Sequence, residues 1–182
     1  MADAKKIIVA GNEAHCKIRD FLQFIEKFDE KHQFSDFQDK VSAYYEYLNY
    51  IHLIGAKAHF FKTMADDLQQ YISCKDVNSC EALKQGKEHF AEIADMTLED
   101  IDALKCFLQN NVCPDLCMAE VYAKLDELRA CVCKLKAHVN GLTGAPGTAP
   151  ALPPAPKAGG DGYDDMYGYT DNKKSRAQIE SA

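Results

Sequence analysis

"MAEVYAKLDELRACVCKLKAHV", residues 118–139, decides the fold. Met118, Val121, Leu125, Leu128, Val132, Leu135 and Val139 follow one another by alternating steps of three and four. That spacing puts all seven on one stripe of an α-helix for three heptads. Pro114 stands ahead of it, where a first helical turn tolerates a missing N–H. Gly141 follows it, in the usual terminating position. A coiled-coil seam of this length exceeds what one neighbour within the chain requires. Helix–helix association is therefore expected, copies of the chain included, with Leu125, Leu128, Val132 and Leu135 as interface candidates.

The upstream sequence has the same period. Ala14, Ile18, Phe21, Ile25 and Phe28 share a face, which predicts a helix capped by Asn12 and ending near His32. A stripe from Phe37 to Ile72 predicts a second helix with a Ser35 cap, which either kinks near Gly55 or forms an elongated molecule. Leu83, Phe90 and Ile93 predict a third helix over 79–95. Thr97-Leu98-Glu99-Asp100 has the form of a capping box and predicts the start of a fourth, with Ile101, Leu104 and Leu108 inward. The helix at 118–139 is then the fifth. Lys5 to Gly11, "KKIIVAG", has the β-branched content of a strand, and residues 1–11 are taken as an N-terminal arm. No glycine-rich loop follows it, so a nucleotide-binding opening is excluded.

The chain changes character after Asn140. Five of the six prolines and seven of the ten glycines lie beyond that point. This predicts an extended tail: a Pro/Ala/Gly linker over 141–162, then an aromatic-acidic segment over 163–182. Tyr163, Tyr167 and Tyr169 are its candidate docking residues.

Eight cysteines are many for a chain whose start lacks the apolar run of a signal peptide. Cys113 and Cys117 have the spacing of half a zinc site, but Cys131 and Cys133 lie two apart, about 160° from each other on a helix, and cannot easily share an ion. Disulfides fit better, with Cys74, Cys80, Cys106 and Cys117 as candidates. Small buried thiols are the alternative. Of the six histidines only His32 has an acidic residue three positions before it, Asp29, so a helical di-iron site is excluded. No glycine elbow or oxyanion loop marks a nucleophile. No catalytic residue, metal or cofactor is expected.

The net charge is −7, against the basic excess a nucleic-acid groove needs. No segment is apolar for the roughly 18 residues of a membrane span. Tyr44, Tyr45, Tyr47 and Tyr50 point in several directions on one helix, as expected either of an interface or of a helix covered on two sides. The expectation is an all-α bundle of about five helices with a C-terminal tail. Its expected role is that of a non-catalytic structural protein, bound to other protein subunits of a large assembly or to itself. A minor capsid or cement protein of a large cytoplasmic DNA virus would fit, in cytoplasm or virion. The alternative is a small cytosolic redox-sensitive adaptor with a docking tail.

Overall fold

The computed structural model describes residues 2–32, 41–74, 79–112 and 118–142. The chain divides into two units, Met1–Ala149 and Pro150–Ala182, and the second lies outside the described residues. So do the expected cap Ser35, Pro114, Cys113, Cys117 and the tyrosines Tyr163, Tyr167 and Tyr169. The first unit contains four helices, α1 (Ala2–His32), α2 (Val41–Ser73), α3 (Ser79–Asn111) and α4 (Ala119–Asn140), and no strand among the described residues. The first three, of 31, 33 and 33 residues, are each about 50 Å long.

The "KKIIVAG" segment is helical, contrary to the strand expectation. Ala4, Ile7, Ala14, Ile18, Phe21, Ile25 and Phe28 are all buried, and with Gly11 they form one unbroken three-four stripe. Asn12 is not a cap. It lies inside α1, and its side-chain amide donates to the Ile8 carbonyl at 3.0 Å. Gly11 allows a close approach of α1 to α2. A Cβ there would lie 3.1 Å from the Phe61 carbonyl oxygen and 3.3 Å from Ala65 Cβ.

The predicted third and fourth helices are one. α3 runs through Thr97, which is fully buried, and its hydroxyl donates to the Ile93 carbonyl at 2.7 Å. A threonine bonded to the carbonyl four residues back no longer needs a helix end. Continuity also joins Leu83, Phe90, Ala94, Ile101, Leu104 and Leu108 into a single buried stripe. Among the described residues the count is therefore four helices, with the expected third and fourth merged. α2 is likewise uninterrupted at Gly55.

Cross-contacts set the topology. His15 Nδ1 donates to the Ala58 carbonyl at 2.8 Å, and Tyr47 reaches Asp29, so α1 and α2 are antiparallel. Lys57 meets Asp100, and Tyr50 meets Phe107 with ring centroids 5.5 Å apart, so α2 and α3 are antiparallel. Phe61 and Phe90, 5.1 Å apart, close the core between them. Lys136–Asp95, Arg129–Asp102 and Lys105–Asp126 form an antiparallel ladder of ion pairs from α4 to α3. α4 also faces α1, and the result is a four-helix bundle.

The α4 stripe is buried from Met118 to Val139, with Val121, Leu125, Val132 and Val139 fully shielded. It packs on α1 and α3 of its own chain. Leu125, Leu128, Val132 and Leu135 are thus core residues here, covered from two sides by α1 and α3, each of which is longer than α4. Gly141 does end α4, but with φ −74°, a right-handed conformation open to any residue. The Lys87 ammonium donates to the carbonyls of Asn140 and Leu142 and holds this end down.

Candidate functional site

Three polar side chains inside the bundle, His15, Tyr47 and Lys57, join helix to helix. Tyr47 is fully buried, and its hydroxyl donates to Asp29 Oδ1 and Oδ2 at 2.9 and 3.1 Å. Burial raises the Asp29 carboxyl to about 6, against the lesser opposing effect of the Tyr47 hydrogen bond. Burial and the neighbouring carboxylate likewise raise the Tyr47 phenol. A carboxyl raised on folding favours the native state in its neutral form. That advantage is full below the ordinary value of 3.8 and is lost as pH rises through about 6. Asp29→Asn retains an acceptor for Tyr47 without the charge. Its melting temperature is expected to gain on wild type between pH 4 and pH 7.5, by the equivalent of roughly 1 kcal/mol after allowance for solvent screening. A pH-independent difference between the two proteins would refute this role for the pair.

Lys57 and Asp100 form the second polar contact, between α2 and α3. Lys57 is 5% exposed, and its Nζ lies 3.0 Å from Asp100 Oδ2. The distance is that of an ion pair, but the approach is not aligned as a hydrogen bond. Asp100 Oδ2, shut off from solvent, is held by charge alone.

No disulfide joins cysteines among the described residues, nor do three or more His, Cys, Asp or Glu gather there as metal ligands. Cys74, at the end of α2, is exposed, while Cys80 is half-buried in the first turn of α3; the bridge expected between them is not formed. Cys106 is exposed on α3, with its Sγ 3.5 Å from the Asn110 amide. The buried-thiol alternative does not hold for the described cysteines either. Cys16, Cys74 and Cys106 are exposed, and Cys80, Cys131 and Cys133 are half-buried.

A groove of about 370 Å³ runs between α1 and α4. Phe21, Phe24 and Leu128 line it, and Lys17, Asp20, Lys124 and Glu127 bring charges of both signs. Lys124 is bound to Glu127 at 2.7 Å, so the groove presents no convergent charge.

The other surface feature is apolar. Seven large hydrophobic side chains stand exposed among the described residues, and five are on α2: Tyr44, Tyr45, Leu53, Phe60 and Tyr71. Val9 and Met96 are the other two. Leu53, Phe60 and Tyr71 fall within about 20° of one another around the helix and extend along about 27 Å of it. Lys57–Asp100 places the α3 end of this strip. One turn on from Lys57 is Phe60, and one turn back from Asp100 is Met96, 45% and 41% exposed. Farther along, Met64 and Tyr71 of α2 and Gly86 and His89 of α3 line an open groove of about 240 Å³.

The tyrosine cluster divides between its two expected roles. Tyr47 is core, Tyr50 is half-buried against Phe107, and Tyr44 and Tyr45 face outward. Asp29, Lys57, Asp100, Leu53, Phe60 and Met96 were not among the sequence-derived candidates. Leu53 and Phe60 had a legible signal: they are large apolar residues seven apart that lie off the buried stripe of α2.

Fold and surface together define an all-α four-helix bundle whose second helix has an uncovered apolar shoulder. No protein-family model, curated protein or solved structure matches the chain. Among the described residues, no helix is long and apolar enough to cross a membrane.

Proposed function

We propose that the protein is a non-catalytic assembly subunit that holds other protein subunits through its helix faces. The observation that carries this reading is the apolar shoulder of α2. A helix in a four-helix bundle needs one buried stripe, and a second apolar row on its solvent side suits a partner. The buried polar groups agree with a structural role, since Tyr47, Lys57 and His15 each engage a neighbouring helix. A large cytoplasmic assembly is the proposed setting, and a minor capsid or cement position in a viral particle is its sharper form. The exposed thiols of Cys16, Cys74 and Cys106 favour the second reading, a redox-sensitive adaptor.

Sedimentation of the full chain, isolated without denaturant from cells that make it, separates the two. The assembly subunit is expected in a large particle at fixed stoichiometry. A free monomer whose partner binding changes with oxidant would establish the adaptor instead.

A further inference from the structure

We infer that the shoulder formed by Leu53, Phe60 and Tyr71 of α2 with Met96 of α3 is the docking groove for a basic amphipathic helix of a partner protein. This rests on the assembly reading above and names the partner's chemistry.

The shape argues for a helix. The apolar residues follow the shallow valley between two antiparallel helices for about 27 Å, the length of five helical turns. Leu53 and Phe60 are seven residues apart, so they offer contacts at the repeat of a facing apolar stripe. At the far end the valley deepens into the groove between Met64, Tyr71 and Gly86.

The charge argues for a basic partner. Glu88, Glu92 and Glu99 are exposed on the flank of α3, within about 80° of Met96 around the helix. Glu46 and Asp67 are exposed beside the strip on α2. None of these five takes part in an ion pair among the described residues. The nearby lysines are otherwise placed. Lys57 is bound to Asp100, Lys62 is bound to Asp66 on the far side of α2, and Lys84 lies about 120° from Met96 around α3. An apolar floor with an acidic rim selects an apolar stripe flanked by Lys or Arg. A second copy of the chain would set acidic rim against acidic rim, and an anionic lipid surface would meet the same repulsion.

The test uses the full chain and two 18-residue probe peptides with the same leucine stripe, one with lysine at its polar positions and one with glutamate. The Leu/Lys peptide is expected to bind, with hydrogen-exchange protection confined to α2 and α3 and an affinity that falls as salt rises. Phe60→Ser with Met96→Ser is expected to weaken it about tenfold or more, and Glu92→Lys with Glu99→Lys similarly. Both pairs lie on the surface, so unchanged melting is the control for folding. The inference is overturned by equal binding of the Leu/Glu peptide, by protection elsewhere, or by Leu/Lys binding that survives Phe60→Ser and Met96→Ser. Self-association abolished by Phe60→Ser would give the surface to a second copy, and binding to phosphatidylserine vesicles would give it to a membrane. Recovery of the chain in a stoichiometric particle with α2 and α3 unprotected would sink this inference alone. A free monomer in the sedimentation experiment would remove the assembly reading beneath it.

Discussion

Leu125→Lys is expected to remove most of the stability of the bundle, at every protein concentration. Leu125 is fully buried in the middle of the α4 stripe, where α4 meets α1 and α3. The substitution loses about 2 kcal/mol of apolar burial. It also places an ammonium where no carboxylate has been arranged to receive it, at a cost of several kcal/mol more. The sum, upwards of about 4 kcal/mol, is comparable with the total stability of a small domain. Leu128→Lys should be milder. Leu128 is 4% exposed and forms part of the α1–α4 groove, so a lysine there can extend its ammonium towards Asp20 and Glu127. Urea unfolding at two protein concentrations a hundredfold apart checks both. A core residue gives a loss independent of concentration. A wild-type melt for Leu125→Lys, or a loss that disappears at the higher concentration, would move the stripe from the core to a contact between chains.

The α4 stripe was legible because everything that defines it is local: seven apolar residues in phase, polar residues between, and a glycine after. The helical class was legible for the same reason. The helix boundaries were harder. Asn12 and Thr97 both have side chains that cap helices, and each stands just before an apolar run. In the structure each donates to a carbonyl four residues back, inside a continuing helix. The choice between cap and back-bond depends on whether the preceding turn has its own place in the core. Ala4 and Ile7 give it one before Asn12, and Phe90 and Ala94 give it one before Thr97. A β-branched run hid the first case, since Ile7 and Ile8 face inward while Val9 faces water. The polar contacts had no local signal at all. Tyr47 and Asp29 are 18 residues apart, and His15 and Ala58 are 43 apart. Only the antiparallel pairing of the helices joins them. The apolar shoulder lies between these extremes: Leu53 and Phe60 are visibly off the buried stripe, but Met96 joins them only through the α2–α3 register.

The α2–α3 register also carries the Lys57–Asp100 pair. Asp100→Ala is expected to destabilise the protein by about 3 kcal/mol, while Lys57→Met combined with Asp100→Leu should be at least as stable as wild type. The single substitution leaves the Lys57 ammonium, 5% exposed, without its counterion. The double substitution removes both charges and replaces them with apolar chains of similar length. Wild type has already met the desolvation cost of the pair, and an ion contact without hydrogen-bond alignment offsets little of it. The sign therefore reverses between the two variants. Such a pair can still serve the fold by disfavouring other registers. Sliding α3 by one turn against α2 would bury Asp100 and Lys57 apart, and would move Met96 one turn along the surface relative to Phe60. Urea titrations of wild type, both single variants and the double variant give the coupling energy directly. The double variant then allows a further comparison with the Leu/Lys peptide. If it is more stable and binds as wild type does, apolar packing alone holds the register of the shoulder. If it is more stable but binds more weakly, the ion pair sets the surface geometry at the expense of stability. A double variant as unstable as Asp100→Ala would refute both accounts, since the loss would then come from packing around Asp100 rather than from an orphaned charge.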